Sequence, residues 1–379
     1  MRIVLLHDAS LFEWKGTQKA IAEYGNYLVH HGHKVTFLEN LGYNRIKTES
    51  KLETDRVVSF DVREVRFKKF FGVWIVPRRV LHELRPDVIY VSTFNAFFYL
   101  PILGHKTIMG SFVIGPEHEK MGTSLEKGLL SAKKLLFGLT SLLYNENSVI
   151  FHVLNPSQGQ WLERLLRKEL SVVVNPPPLD CSLYTYDPNR RLTAGAFRVT
   201  YLGPLTEQKG FKTFDQIIRT MNERPLFANK VKFTIVGDGV LRNVAEGLAK
   251  RFGNVNYLGI LNERQNIDVY RDSHLVVSPS QVENFHYVTA EAQLCGVPVV
   301  SSDLSGPRSI IQDETTGKLI KTDDTEAYVM AIKSYLDIFE HNTQAYEDLR
   351  EKCRINGMRF CKDVVLPKFE DIILRLGLK

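Results

Sequence analysis

"SPSQVENFHYVTAEAQLCGVPVVSSDLSGPRSI", residues 278–310, sets two carboxylates, Glu283 and Glu291, eight positions apart. Glu283 lies in a polar run that predicts a loop, whereas Glu291 lies in a run that predicts a helix. A Gly-Val-Pro turn follows, and the β-branched residues after it predict a buried strand. This order of loop, helix, turn and strand is typical of a doubly wound α/β domain.

Short apolar strands alternate with helices on both sides of this stretch, and the pattern occurs twice along the chain. In the first half the predicted strands are 2–8, 34–38, 87–92, 106–112 and 148–154. In the second half they are 197–203, 231–239, 253–259, 273–280 and 297–302. Alternation of this kind predicts two Rossmann-like domains, each with a doubly wound parallel sheet, and a binding cleft between them.

The predicted domain boundaries follow from composition. Residues 1–178 form an N-terminal Rossmann-like domain, and the Pro-rich, polar stretch 179–196 is a linker. Residues 197–360 form the C-terminal Rossmann-like domain. Residues 361–379 are predicted to form a C-terminal helix that packs back on the N-terminal domain.

Charge is distributed unevenly along the 379 residues. Residues 1–180 carry 23 Lys and Arg against 18 Asp and Glu, whereas the remainder carries 26 against 25. A mildly basic first half suits a phosphorylated ligand or an anionic membrane surface. It is too weak to indicate nucleic acid, and no nucleic-acid-binding motif is present in the sequence.

The cysteines and apolar runs bear on location. The four cysteines are scattered, with no CxxC pair and no spacing of a metal site, which is typical of a reducing compartment: Cys181, Cys295, Cys353 and Cys361. The first apolar run is too short for a signal peptide, and no apolar stretch approaches the roughly 18 residues that span a bilayer. We therefore expect a cytoplasmic protein, free or peripheral on the inner face of the membrane.

The motifs of the second half resemble those of glycosyltransferase family 4, the retaining transferases of GT-B fold. "ENFHYVTAEAQLCGVPVV" is similar to the family's E-x7-E signature with its helix and G-x-P turn. "YLGPLTEQKGF" (201–211), "IVGDG" (235–239), "YLGIL" (257–261) and "VSPS" (277–280) are similar to further family segments. "GHKV" (32–35) is a looser likeness in the first half. The resemblance implies an N-terminal acceptor-binding domain and a C-terminal domain that binds a nucleotide-sugar donor.

The helix after Glu283 suits a diphosphate on physical grounds. If it begins near His286 or Tyr287, its unpaired N–H groups can hold phosphate, with Phe285 just ahead of them. Glu283 then lies by the donor sugar and Glu291 by the ribose, as the resemblance also implies. The alternative is that neither acid binds a ligand, and that both lie near the start of the helix because the helix dipole favours negative charge there.

Lys209 is predicted to contact the donor phosphates as a point charge. The resemblance implies an Arg close before this Lys in the sequence, yet Pro204 occupies that position. In this interpretation, Arg308 or Lys15 supplies the positive charge that the missing Arg would have provided. The alternative for Lys209 is an ordinary surface lysine.

The remaining candidates are assigned on single residues. Gly16 lies where a glycine lets backbone approach a diphosphate, or it is a simple turn glycine. The resemblance implies that Gly237 and Ile260 flank the nucleotide base. His118 is a catalytic candidate that is displaced from the family position, and a solvated charged loop is its alternative.

The function implied by the resemblance is transfer of a hexose, with retention, from a UDP- or GDP-sugar to a hydroxyl of a glycan or lipid-linked acceptor. No Asp-x-Asp motif occurs in the sequence, so no metal and no cofactor are expected. Residues 66–79 and 125–144 interleave cations with apolar residues, which predicts either core packing or peripheral membrane contact. The alternative function is a non-catalytic nucleotide-sugar-binding subunit of a glycan-assembly complex.

Overall fold

The computed structural model of the chain describes residues 1–7, 16–40, 58–70, 73–92, 100–110, 137–139, 141–187, 195–311 and 315–378. They form two compact units. Met1–Pro178 and Lys362–Lys379 make up the first unit, and Leu179–Cys361 makes up the second. Each unit is an α/β domain built on a parallel sheet, so the predicted fold class is confirmed.

The first unit is built around a central strand with apolar residues facing both sides. Its described strands are β1 (Arg2–Leu6), β2 (Lys34–Asn40), β3 (Asp61–Val65), β4 (Lys68–Phe70), β5 (Val73–Ile75), β6 (Val88–Val91), β7 (Thr107–Gly110), β8 (Val149–Val153) and β9 (Val172–Val174). Seven of these form one parallel sheet in the order β3-β2-β1-β6-β7-β8-β9, and β4 pairs with β5 antiparallel. Because β1 is covered on both faces, its residues 3–6 are all buried, as in parallel sheets generally.

Helices cover the first sheet. The described ones are α1 (Gly16–His30), α2 (Arg78–Leu84), α3 (Pro156–Leu166), the short 3-10 turns Leu100–Leu103 and Glu146–Ser148, and the C-terminal helix (Lys362–Gly377). The Asn155 side chain caps α3 by accepting from the Gln158 N–H at 3.0 Å. The Phe369 ring of the C-terminal helix stacks on Tyr24 of α1 at 3.9 Å between centroids, so this helix packs within the first unit.

The second unit repeats the architecture with six parallel strands. They are β10 (Phe197–Leu202), β11 (Val231–Val236), β12 (Val255–Gly259), β13 (Leu275–Ser278), β14 (Val299–Ser302) and β15 (Gly317–Ile320). Their order in the sheet is β12-β11-β10-β13-β14-β15. The chain winds outward from β10 in one direction and from β13 in the other, so the strand order switches between these two neighbours.

The helices of the second unit bury apolar faces against its sheet. They are α4 (Phe211–Asn222), α5 (Arg242–Arg251), α6 (Glu263–Asp272), α7 (Tyr287–Leu294), α8 (Ser305–Ile310), α9 (Thr325–His341) and α10 (Thr343–Gly357), with 3-10 turns Pro225–Phe227 and Met358–Phe360. α4 shows why: Phe214, Ile217, Ile218 and Met221 recur on one face, and all four are buried in the core. The loops that follow the strands are thereby fixed at one edge of the sheet.

The start of the predicted linker 179–196 packs into the second unit rather than running free. The Leu179 N–H donates to the Phe360 carbonyl at 2.8 Å. The Arg354 guanidinium donates to the Tyr184 carbonyl at 2.6 Å and holds this segment against the helices. A free linker and an anchored loop have the same Pro-rich, polar composition, so the sequence could not distinguish them. The contacts that anchor this segment are made with residues far away in the chain.

Two of the four cysteines form a disulfide that their spacing in the sequence did not predict. Cys181 and Cys361 form a disulfide across a sequence separation of 180 residues, with Cα atoms 5.4 Å apart. Cys295 and Cys353 are free and buried. The expectation of a reducing compartment rested on the absence of a local pair, and a pairing between residues so far apart leaves no spacing signal in the sequence.

Candidate active site

Four predicted site residues lie in the segments that follow the carboxyl ends of four neighbouring strands. Lys209 follows β10, Gly237 follows β11, Ile260 follows β12 and Glu283 follows β13. All four strands are parallel, so these residues lie at one edge of the second sheet. The edge includes the switch in strand order between β10 and β13, which is where open α/β sheets bind ligands.

The turn that carries Lys209 presses against the loop after β13. Gly210 has a φ of +71°, and a Cβ there would lie 1.8 Å from the Pro279 carbonyl oxygen. The Gln281 N–H donates to the Gln208 carbonyl at 2.9 Å and joins the two loops. Only glycine permits this approach, which brings the Lys209 side chain to Glu283.

Lys209 and Glu283 form an ion pair at this edge. The Lys209 Nζ donates to Glu283 Oε1 at 2.7 Å. The Glu283 side chain is 9% exposed and that of Lys209 is 32% exposed, so the acid is buried and the base reaches solvent. A charge-assisted hydrogen bond of this kind keeps a carboxylate and an ammonium together where a phosphate can recruit the ammonium.

His286 completes a buried network around Glu283. Its Nε2 lies 2.9 Å from Ser278 Oγ and 3.6 Å from Glu283 Oε1, and its Nδ1 contacts Thr289 Oγ1. Burial is the main cause that lowers the pKa of His286 to about 4; the Glu283 charge opposes this shift and the Lys209 charge adds to it. His286 is therefore neutral near pH 7 and holds the loop by hydrogen bonds rather than by charge.

Helix α7 begins at the position predicted from the sequence. Tyr287 is its first residue, His286 is its N-cap residue, and the Thr289 and Ala290 N–H groups donate to the His286 carbonyl at 3.0 and 3.2 Å. The first N–H groups of any helix lack partners within that helix and favour anions. The Phe285 ring packs edge-on against Tyr287 and Phe360, which fixes the entry of the chain into α7.

Glu291 lies one turn into α7, in surroundings of a different kind. The Tyr270 hydroxyl donates to Glu291 Oε2 at 2.9 Å. Burial raises the pKa of Tyr270, and the Glu291 carboxylate raises it further, so the phenol stays protonated. Glu291 is half-buried, and its carboxylate is oriented by a neutral donor.

Gly237 and Ile260 both line the same edge with backbone. Gly237 has a φ of +126°, and a Cβ there would lie 2.0 Å from the Gly203 carbonyl oxygen. The Tyr257 hydroxyl donates to the Gly237 carbonyl at 3.1 Å. The Ile260 side chain is 69% exposed. The turn at Gly237 therefore requires glycine, and the contact of either residue with a base stays a prediction.

The other predicted residues lie elsewhere. Gly16 is the first residue of α1 and belongs to the first unit. His118 and Lys15 lie outside the described residues. Arg308, the other cation proposed to substitute for the Arg at Pro204, donates from Nε and Nη2 to Asp303 Oδ1 at 2.9 and 2.6 Å, and its side chain is 58% exposed. Arg308 therefore already has a carboxylate partner.

The described ranges contain neither a metal-binding cluster nor a helix that could span a membrane. No group of three or more His, Cys, Asp or Glu side chains in them is placed to hold a metal ion. Among these residues no helix has both the length and the apolar character needed to cross a bilayer.

Known proteins are similar to the second unit in sequence and to the chain in fold. The model of the family "Glycosyl transferases group 1" matches residues 196–337. The crystal structure of WaaG, "a glycosyltransferase involved in lipopolysaccharide biosynthesis", superposes with a TM-score of 0.71 at 16% identity, covering 98% of this chain and 99% of that chain. Residues 196–337 of this chain are therefore similar to the group 1 glycosyltransferases. The two parallel-sheet units have the GT-B fold.

Two further proteins similar to this chain extend the comparison. The phosphatidylinositol N-acetylglucosaminyltransferase gpi3 subunit of Schizosaccharomyces pombe is 22% identical over 91% of this chain and 79% of its own length. Anabaena HepE, solved in complex with UDP, has a TM-score of 0.74 at 16% identity and covers 98% of this chain and 99% of its own. The chain spans 40%, 79% and 30% of the length of three curated relatives.

Sequence reasoning missed the residues that hold the two acids of the candidate site in place. Ser278 and Thr289 fix His286, and Tyr270 fixes Glu291. Ser278 stands within the quoted "VSPS" segment, so a signal for it was present. Tyr270 lies 21 positions before Glu291 on another helix, and no local spacing links the two.

Proposed function

We propose that this chain is a glycosyltransferase that moves a hexose from a UDP- or GDP-linked donor to a hydroxyl acceptor with retention of anomeric configuration. The observation that supports the proposal is the Lys209–Glu283 ion pair at the switch between β10 and β13, beside the start of α7. HepE carries UDP in its crystal structure, which supports a uridine nucleotide for this chain. Retention follows from the resemblance to family 4.

The chemistry proposed for the second unit is electrostatic. The diphosphate lies at the N-terminus of α7, where backbone N–H groups and the helix dipole favour negative charge. The Lys209 ammonium moves from Glu283 toward the departing phosphate, and Glu283 accepts hydrogen bonds from the donor sugar. Preorganised donors aimed at developing charge supply the largest catalytic contribution in many enzymes. No metal is part of this proposal.

Thermal unfolding of the full chain with UDP, GDP and their hexose conjugates tests the donor class. A nucleotide at 100 times its Kd stabilises the folded chain by roughly 2.7 kcal/mol, so the matching base raises the Tm by a few degrees. A Tm that is unchanged by every nucleotide would contradict the proposal. Release of free nucleotide by the isolated chain then separates a catalyst from a non-catalytic subunit.

The acceptor is proposed to be a glycan or a lipid-linked glycan reached at a membrane surface. Leu139, Leu142 and Leu143 are 57%, 68% and 68% exposed on the first unit. Lys168 and Glu169 line a surface hollow together with Ser141 and Tyr144, which flank Leu142 and Leu143 in the sequence. The gpi3 relative is named for a phosphatidylinositol substrate, which supports a lipid-bearing acceptor.

Co-sedimentation with phosphatidylcholine vesicles, with and without phosphatidylglycerol, tests the membrane contact. The wild-type chain is expected to pellet with the anionic vesicles, and the double variant Leu142→Ser/Leu143→Ser is expected to stay in solution. Leu226→Ser, which removes a 53% exposed leucine from the second unit, is the matched control. Equal binding by all three proteins would contradict this surface.

A cytoplasmic location, free or on the inner face of the membrane, is part of the proposal and is tested by the cysteines. A reducing compartment keeps most cysteines as thiols, whereas an oxidising one permits the Cys181–Cys361 disulfide. Thiol alkylation in intact cells followed by mass spectrometry distinguishes the two. Quantitative alkylation of Cys181 supports the cytoplasmic location, and protection of this residue contradicts it.

A further inference from the structure

The chain passes between its two units twice, and the two passages are linked covalently. The second unit is Leu179–Cys361, so the chain joins it at Leu179 and leaves it after Cys361. The Leu179 N–H donates to the Phe360 carbonyl at 2.8 Å, and Leu179 pairs with Cys361 as an isolated parallel bridge. The disulfide between Cys181 and Cys361 lies beside this bridge. It therefore closes almost the whole second unit into one covalent ring.

The latch, defined as residues 179–181 and 360–361, packs against the helix that carries the predicted phosphate site. The Phe360 ring lies edge-on to Phe285 at 5.4 Å between centroids, and Phe285 lies edge-on to Tyr287, the first residue of α7, at 5.1 Å. Aromatic pairs in this geometry fix the two rings relative to each other. A shift of the latch therefore moves the residues at the start of α7.

Residues just before the latch contact the other end of α7. A Cβ at Gly357 would lie 2.7 Å from the Leu294 backbone nitrogen, so the chain passes close to the last turn of the helix. The Asn356 side-chain amide donates to the side-chain oxygen of Gln293. The segment that ends in the latch thus contacts α7 at both ends of the helix.

The disulfide restricts the latch more strongly than a hydrogen bond does. It joins cysteines separated by 180 positions, and the entropy that a disulfide removes from the open chain grows with the length of the loop it closes. The hydrogen bond from Leu179 contributes much less, because the open chain exchanges it for one with water. Without the disulfide the latch opens locally at a lower cost, and the start of α7 becomes less ordered.

The remaining cysteines leave this pair as the site of thiol chemistry. Cys295 and Cys353 are 1% and 0% exposed, and burial raises the pKa of Cys295 to about 12, so its thiol stays protonated near pH 7. Cys181 is half-buried, whereas Cys361 is 8% exposed, so a small dithiol reaches Cys181 more readily.

Reduction of the latch follows ordinary thiol–disulfide exchange. A thiolate of the dithiol attacks Cys181 Sγ, forms a mixed disulfide with it and releases the Cys361 thiolate. The second thiol of the reductant then displaces the Cys181 thiolate. Two electrons and two protons pass to the two cysteines, and the reductant leaves as a cyclic disulfide.

We propose that Cys181 and Cys361 form a thiol–disulfide switch for nucleotide binding. The closed disulfide holds the start of α7 ready for the diphosphate, and its reduction lowers the affinity of the second unit for nucleotide. The switch rests on the proposed function, because that function places the diphosphate at this helix. It requires a dithiol as reductant and a low-molecular-weight disulfide as oxidant.

Calorimetric binding of UDP and GDP to the full chain tests the switch, after treatment with either oxidised glutathione or dithiothreitol. For the nucleotide that binds, the reduced chain is expected to have a Kd about tenfold higher, the cost of ordering one or two side chains that the closed latch already holds. Reoxidation is expected to restore the lower Kd. The titrations are made at a temperature at which circular dichroism shows both forms folded, which separates lost affinity from global unfolding.

The double variant Cys181→Ser/Cys361→Ser is expected to have the Kd of the reduced wild-type chain, with or without dithiothreitol. Cys353→Ala removes a buried thiol outside the pair and is the matched control, which keeps the tenfold response. Equal Kd values for the oxidised and reduced chain, or alkylation of Cys181 after oxidation, would overturn the switch and leave the proposed function standing. If neither form binds nucleotide, the proposed function fails as well.

Discussion

Glu283 and Glu291 belong to one sequence motif, yet the structure gives them opposite surroundings. Glu283 is buried and ion-paired with Lys209 at 2.7 Å. Glu291 is half-buried and accepts from the neutral phenol of Tyr270 at 2.9 Å. A cation beside the first acid can follow charge that moves during a reaction, whereas neutral donors beside the second can only fix its position.

Under the proposed function, this difference gives the two acids different roles in the site. At the Glu283 end, any change to charge is expected to appear in turnover. At the Glu291 end, a change is expected to appear in nucleotide affinity and to leave turnover at saturating donor intact. The variants below test this division, beginning with the largest expected effect.

Lys209→Met is expected to lower kcat by about 10²- to 10³-fold. It removes the cation proposed to stabilise the leaving diphosphate and leaves Glu283 buried without its ion-pair partner. Steady-state release of nucleotide at saturating donor measures the change. Lys212→Met, an exposed lysine of α4 that pairs with Glu207, is the control and keeps full turnover. A kcat within threefold of wild type for Lys209→Met would remove Lys209 from the mechanism.

Acid is expected to destabilise the chain through its buried histidine near Glu283. His286 has a folded-state pKa of about 4 and an ordinary value of 6.5, so the unfolded chain binds the proton first as pH falls. The stability that neutral His286 contributes is complete above pH 6.5 and is lost by pH 4, a change on the order of 3 kcal/mol.

Denaturant unfolding at a series of pH values measures this loss. His286→Gln removes the titration, so its free energy of unfolding should fall less steeply between pH 6.5 and 4 than that of wild type. His31→Gln, at an exposed position, serves as the control with the wild-type slope. An unchanged slope in His286→Gln would mean that His286 is not buried in its neutral form.

Glu283→Gln is expected to lower kcat by about 10- to 100-fold while nucleotide affinity changes by less than about threefold. The amide keeps the shape of the side chain and loses the charge that pairs with Lys209 and that is proposed to accept from the sugar. Parallel measurement of kcat and of UDP or GDP binding checks the split. A variant that binds nucleotide poorly and turns over normally would reverse the assignment of the two acids.

Glu291→Gln is expected to weaken nucleotide binding by about tenfold and to keep kcat at saturating donor within about threefold of wild type. The amide has one acceptor oxygen where the carboxylate has two, and Tyr270 competes for it. Calorimetry with the nucleotide and initial rates over a range of donor concentrations give both values. Loss of kcat with unchanged affinity would show that Glu291 acts in the chemical step.

The fold and the frame of the site could be predicted because their signals are local. Buried parallel strands read as β-branched runs, and the strand ends place Lys209, Gly237, Ile260 and Glu283 at one edge. The start of α7 followed from the change of pattern at Tyr287. These features depend on residues that are close together in the chain.

What the sequence did not reveal depends on pairs far apart in the chain. Tyr270 reaches Glu291 from another helix, and Cys181 bonds to Cys361 across 180 positions. Arg308 has the positive charge of the Arg that Pro204 replaces, but its guanidinium donates to Asp303. Such partners are set by the packing of helices on the sheet, which one sequence does not report.

A crystal structure of the full chain with UDP or GDP, whichever raises its Tm, tests the central claim most directly. The account predicts the diphosphate at the start of α7 with Lys209 against it, and both ribose hydroxyls within hydrogen-bonding distance of Glu291. A nucleotide bound away from the β10–β13 edge, or ribose hydroxyls that face solvent with Glu291 still on Tyr270, would contradict it.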